Sequence, residues 1–166
     1  MILLGLGGHL ESPRFGPPRR TLVAALDRLQ AEGIAVLARS RFYTSAPVPV
    51  SDQPWYVNAV ARVETGLGPQ PLLAALLALE AEFGRVRADA NAARVLDLDL
   101  LAYGPMVTPA DAHPALPHPR MAGRAFVLLP LAEIAPDWRH PATGTPIGAM
   151  VNALPGDQLA RPMDAE

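Results

Sequence analysis

The order in which the apolar pattern of this chain changes period leaves few folds open to it. Ile2 to Leu6 is a short continuous apolar run stopped by Gly7 and Gly8, as suits a buried strand ending in a tight turn. A proline-rich loop from Glu11 to Pro18 follows. Leu22, Leu26 and Leu29 then fall at helical spacing, with Thr21 as the predicted N-cap and Gly33 placed to end the helix. Ile34 to Ser45 alternates, which predicts a second strand. The prolines of Ala46 to Pro54 exclude a ladder there, so this stretch is predicted to be a structured loop. Trp55 to Glu64 resumes a period of two. Leu72, Leu73, Leu76, Leu79 and Phe83 predict a second amphipathic helix closed by Gly84. Val95 to Tyr103 is a fourth strand, with Leu96, Leu98 and Leu100 on one face and Val95, Asp97, Asp99 and Leu101 on the other.

This β-α-β-β-α-β order matches a ferredoxin-like arrangement of the α/β (α+β) class, an antiparallel sheet with both helices on one side. Pro105 to Pro119 reads as irregular. Arg124 to Ala135 is predicted to be a short apolar helix interrupted or started late by Pro130, and a last turn or two of helix near Ile147 to Ala153 completes a C-terminal helical extension. The 166 residues show neither an internal repeat nor a linker, so residues 1–166 are read as one domain.

Composition narrows the chemistry. Half of the chain is hydrophobic and 18% is charged, enough for a core and too little charge for disorder. All 14 basic side chains are arginine, so a P-loop lysine and a Schiff-base lysine are excluded. The absence of cysteine excludes thiolate nucleophiles, zinc-thiolate sites and disulfides. A net charge of -2 gives no general attraction to nucleic acid or anionic membranes, and neither a signal peptide nor an apolar stretch of about 20 residues is recognisable. The expected location is the cytoplasm.

The most specific local signal is Asp97-Leu98-Asp99, which puts two carboxylates on one face of a strand, close enough to share hard cations. A bare Asp-x-Asp is more often a solvated pair. Here Arg85, Arg87 and Arg94 lie directly upstream, so groups for anions and for cations converge, as a magnesium–phosphate substrate requires. His118, between two prolines, and Arg124 form a second cluster suited to phosphate. In Trp55-Tyr56-Val57-Asn58, an amide beside an aromatic ring suits the donor and acceptor edge of a flat heterocycle, although cross-strand packing and an exposed polar position explain Tyr56 and Asn58 equally well when taken alone. His9, His113 and His140 have no metal-ligand spacing and are read as surface or loop residues.

Arg85-Val86-Arg87, Arg94 to Leu101, Leu116 to Met121 and Arg124 to Pro136, together with Asp52-Gln53-Pro54 and Tyr56 to Ala59, resemble the 6-hydroxymethyl-7,8-dihydropterin pyrophosphokinases of folate biosynthesis. The likeness runs in order from about Ile2 to Ile147. It implies a ferredoxin-like fold and an ATP-dependent diphosphokinase, which moves pyrophosphate from ATP, its co-substrate, to the pterin hydroxymethyl oxygen and releases AMP. By the same resemblance, Asp97 and Asp99 would ligate two Mg2+ ions and Arg85 and Arg94 would hold the transferring phosphates. His118, Arg124 and Arg87 would contact ATP, and Glu80 would help place it. Ser45, Val48, Tyr56, Asn58 and Phe126 would line the pterin pocket, with Phe126 stacked on the ring. Association with a neighbouring folate-pathway enzyme is a further expectation.

The chain departs from the family pattern at Gly7-Gly8-His9, where Gly-Ser-Asn is usual, and in Ala88 to Ala93, where a basic and an aromatic residue are common. The family's lysine near the second cluster is also missing, with Ala122 in that region. Arg87 to Ala93, which lacks a large apolar anchor, is expected to act as a mobile lid. The alternative reading is a weak or inactive paralogue that binds a pterin or nucleotide without transfer.

Overall fold

The computed structural model describes residues 1–47, 51–84 and 95–165. Val48, Arg85, Arg87 and Arg94, and with them the lid expected over Arg87 to Ala93, lie outside the described residues.

Strand β1 (Ile2–Gly8) leads into helix α1 (Pro18–Ala31). Thr21 is not the cap of this helix. Pro17 stands at the N-cap and Pro18 at the first helical position, where a missing N–H costs nothing, so the helix starts earlier and Thr21 is buried inside it. Gly33 ends the helix at φ +82° and Gly84 ends the second one at φ +94°, both left-handed positions that favour glycine.

The predicted second strand is two strands, β2 (Ala35–Arg39) and β3 (Tyr43–Ser45). The break falls at Ser40, whose backbone N–H donates to the Val60 carbonyl (2.9 Å) while its hydroxyl accepts from the Val60 N–H (3.0 Å). The side chain thus stands in for one rung of the ladder. Strand β4 (Tyr56–Glu64), helix α2 (Pro69–Glu82) and strand β5 (Asp97–Tyr103) complete the expected order.

The sheet runs β5-β1-β4-β3, with β2 also on β4, and every pairing is antiparallel. One strand went unforeseen: β6 (Ala160–Pro162), which adds to the free edge of β3. It has three residues and ends in proline, which is tolerated at a sheet edge but carries no alternating signal.

Both faces of the sheet are covered. On one, Leu22 and Leu29 of α1 and Leu72 and Leu76 of α2 pack against Leu4, Leu6, Leu98 and Leu100, each contributing about 1.5–3 kcal/mol by burial. On the other lie Leu3, Val60 and Leu101, under helix α3 (Ala125–Ile134) and helix α4 (Ile147–Asn152). Pro130 neither interrupts nor delays α3. The helix runs through it, and Pro130 is buried with Leu128 and Leu131. Its cost is the one hydrogen bond that the Phe126 carbonyl would otherwise accept.

Candidate active site

Helices α3 and α4 cover only part of their face of the sheet. At the end where β1 finishes and β5 begins, the sheet is left open and forms the floor of a cavity of about 250 Å³. Register decides what that floor is made of. Gly5 stands opposite Asp99 and Gly7 opposite Asp97, while Gly7 also faces Asn58 across β4. A Cβ on Gly7 would lie 3.3 Å from Asn58 Oδ1 and 3.7 Å from Asp97 Cβ. The glycines therefore keep a bare strip between the carboxylates on one side and the amide on the other.

The carboxylate side comes from the period of two in β5, which buries Leu98 and Leu100 and turns Asp97 and Asp99 to the cavity. Burial pushes the Asp99 carboxyl up from its ordinary range, and the charge of Asp97 pushes it further. His118, Arg124 and Arg120 pull the other way without cancelling the effect. His118 Nε2 is 4.0 Å from Asp99 Oδ1. Its Nδ1 accepts from the Arg120 N–H at 3.2 Å, so the ring proton of the neutral form sits on Nε2, on the side of Asp99. Burial lowers the His118 pKa against the pull of Asp99, which favours the neutral ring. Glu80 does not line the cavity. It is 1% exposed beneath the sheet, where Oε2 accepts from the Leu98 N–H at 3.1 Å and so fixes the strand between the two aspartates.

On the other side, Asn58 is buried and its Nδ2 donates to Ser45 Oγ at 2.7 Å. That bond leaves Asn58 Oδ1 over the glycine strip and the Ser45 hydroxyl proton for a further acceptor. Two aromatic rings, Tyr56 and Phe126, line the same cavity. The Arg124 guanidinium stands 5.3 Å from the Phe126 ring centroid, and burial with Arg120 nearby lowers its pKa.

Seven of the predicted site residues thus share one cavity: Asp97, Asp99, Ser45, Tyr56, Asn58, Arg124 and Phe126. His118 borders it through Asp99. His9 is not a surface residue. It is 3% exposed and stacked on Tyr56, with centroids 4.2 Å apart and rings inclined by 12°. Neither of its ring nitrogens has a hydrogen-bond partner among the described residues.

Gln158, which also lines the cavity, was missed, because a lone glutamine in a polar tail carries no pattern. The glycine strip was legible only as a turn signal; its alignment with Asp97 and Asp99 needs the register.

Among the described residues no group of three or more His, Asp or Glu side chains is placed to hold a metal ion. The two carboxylates offer oxygen donors of the kind a hard cation takes alongside phosphate and water, and the burial and Asp97 charge that raise the Asp99 pKa are costs that a cation there would relieve. No helix among the described residues is long and apolar enough to cross a membrane.

Fold and cavity together define a ferredoxin-like α/β domain with an acidic pair, arginine and two aromatic rings around one cleft. Residues 3–136 match the family model for 7,8-dihydro-6-hydroxymethylpterin-pyrophosphokinase (HPPK), and the chain belongs to that family. It is 38% identical over 161 residues to the 2-amino-4-hydroxy-6-hydroxymethyldihydropteridine pyrophosphokinase of Pseudomonas aeruginosa, a match covering 96% of this chain and 95% of that one. It is 36% identical over 148 residues to the folic acid synthesis protein fol1 of Pneumocystis carinii, covering 89% of this chain but spanning only 19% of that longer protein. Among solved structures, HPPK-DHPS of Plasmodium falciparum shares the fold at a TM-score of 0.66 and 12% identity, over 91% of this chain and 43% of that one.

Proposed function

We propose that this chain transfers the pyrophosphoryl group of ATP to the hydroxymethyl oxygen of 6-hydroxymethyl-7,8-dihydropterin, releasing AMP. The observation that carries this reading is the convergence of two half-sites on one cavity: the Asp97/Asp99 pair, and the Asn58–Ser45 amide with its aromatic neighbours, separated by the bare strip of Gly5 and Gly7.

In this reading Asn58 Oδ1 accepts from an N–H of the heterocycle, the Ser45 hydroxyl donates to a ring acceptor, and Tyr56 and Phe126 flank the ring. Arg124 and the neutral His118 Nε2–H meet oxygens of the triphosphate. Arg85, Arg87 and Arg94 supply the remaining positive charge, and Val48 adds to the pterin wall. Asp97 and Asp99 would hold Mg2+, two ions on this reading, which when bound neutralises the phosphate charge and orients the chain of phosphates. The hydroxymethyl oxygen forms a bond to the β-phosphorus while the bond from that phosphorus to the α–β bridging oxygen breaks. The electron pair leaves with AMP and the hydroxyl proton goes to water.

Glu80, through the Leu98 N–H, keeps the two aspartates in register. An association with a second folate enzyme is supported by the HPPK-DHPS chain, in which a domain of this fold occupies part of a longer polypeptide.

The test is to incubate the protein with ATP, magnesium and 6-hydroxymethyldihydropterin and separate the nucleotides. AMP is expected; ADP would remove the pyrophosphokinase reading. Tight binding of both ligands with no turnover would favour a binding module.

A further inference from the structure

The last residues of the chain lie beyond the family-model match, which ends at residue 136, yet they reach both walls of the cavity. Gln158 Nε2 donates to the Gly123 carbonyl at 2.5 Å, and its Oε1 accepts from the Ala125 N–H at 2.8 Å. The partners fix the amide's orientation, because a carbonyl can only accept and an N–H can only donate. Gln158 thus brackets Arg124 from both sides. It also supplies what α3 lacks locally: the N-cap residue is Arg124 itself, with no side-chain capping bond, and the first helical N–H is satisfied from 33 residues away.

The residues that follow are bound to the opposite wall. The Ala46 N–H donates to the Leu159 carbonyl at 3.0 Å, and β6 pairs Ala160 with Ser45 and Pro162 with Tyr43. Beyond it the Met163 N–H donates to the Phe42 carbonyl at 2.8 Å. Gln158 and Leu159 are neighbours in sequence, about 3.8 Å apart at Cα, so the segment ties the Ser45–Ala46 wall to the Arg124–Phe126 wall with no slack between them.

We infer that this C-terminal segment is a working strap of the site, and that Gln158 is a positioning residue holding Arg124 and Phe126 against the wall that carries Ser45 and Asn58. The inference rests on the function proposed above for what those groups bind. Gln158 spends its amide on two backbone groups and acts through Arg124 and Phe126. Its loss should not unfold α3, which is anchored by Val127, Leu128 and Leu131, all buried under the sheet. What is released is the first turn, and with it the alignment that a two-substrate transfer needs.

The experiment compares wild type with Gln158→Met, which keeps the length and removes both bonds, and with Gln158→Glu, which keeps an acceptor for the Ala125 N–H and loses the donor to Gly123. Steady-state kinetics, thermal midpoint and hydrogen exchange over residues 121–128 are read on the full chain. Gln158→Met should lower kcat at least tenfold and raise the pterin KM several-fold, speed exchange at Ala125 to Val127, and leave the midpoint within a few degrees. Gln158→Glu should recover part of the exchange protection.

Kinetics within twofold of wild type for Gln158→Met, or a loss explained entirely by a collapsed midpoint, would overturn the inference. A wild type that releases no AMP defeats the proposed reaction instead, and in that case the exchange result alone decides whether the strap positions this turn.

Discussion

Replacing Asp99 by asparagine should stabilise the ligand-free protein while silencing the proposed reaction. Asp99 is pushed up first by burial and next by Asp97, and its attractive neighbours do not offset this. Side chains two residues apart on a strand stand about 7 Å from each other. Two unit charges at that distance repel by about 0.6 kcal/mol in bulk water and about 2.4 kcal/mol at an effective dielectric of about 20. Asp99 is partly open to the cavity, so a value between these limits, about 1–2 kcal/mol, is appropriate. For a chain of this size that corresponds to about 2–8 °C in Tm.

The pH dependence has a definite sign. With the folded pKa above the unfolded value of about 3.9, the folded protein holds more protons between the two, so stability falls as pH rises through that window. The penalty is present in full above the folded pKa and absent below the unfolded one. The pull of His118 on Asp99 is smaller than the push of Asp97, so its loss in the variant does not reverse the sign. Urea unfolding of wild type and Asp99→Asn without divalent cations, from pH 8 toward pH 4, reads the difference directly. The variant should be the more stable at pH 7, with the gap closing toward pH 4. A variant less stable than wild type at pH 7, or a gap independent of pH, would show that Asp99 serves the fold rather than a cation.

Asn58→Ala should raise the pterin dissociation constant more than that of an ATP analogue, by about 5- to 150-fold if an unpaired buried group costs about 1–3 kcal/mol, and Arg124→Ala should do the reverse; calorimetry with each ligand alone separates the two. His9→Ala removes the ring stacked on Tyr56, an arrangement worth about 0.5–1.5 kcal/mol, so pterin affinity should drop about 2- to 10-fold with nucleotide affinity unchanged, as fluorescence titration would show. Glu80→Ala leaves the Leu98 N–H without its acceptor and should cost about 1.5–3 kcal/mol in urea unfolding, whereas Glu80→Gln, which keeps an acceptor, should lose less.

Residues whose role follows from period were readable in the sequence. The leucines of α1 and α2 and the alternation of β5 predict both the ferredoxin-like order and the common face of Asp97 and Asp99, and the structure has both. Where a tertiary contact overrides a local rule, the sequence misleads. Thr21 has the chemistry of a cap, but Pro18 starts the helix earlier and Thr21 turns inward. Ser40 continues an alternating pattern, but its hydroxyl bonds Val60 and the strand breaks there. His9 sits in a glycine turn that reads as exposed, and its burial comes from a ring 47 positions away in the sequence, that of Tyr56. Gln158 and β6 carry no periodic signal because three residues and one amide are too little to make one. They matter only once β3 and α3 stand beside them.

The most direct test of the pyrophosphoryl-transfer reading is the 31P spectrum of a completed reaction of the full chain with ATP, magnesium and 6-hydroxymethyldihydropterin. The reading predicts that the three ATP resonances give way to the single resonance of AMP and a pair of coupled resonances from a diphosphate ester on the pterin, in equal amounts. A spectrum showing ADP with a single phosphate ester, or ATP consumed to AMP and free pyrophosphate with the pterin unchanged, would contradict it.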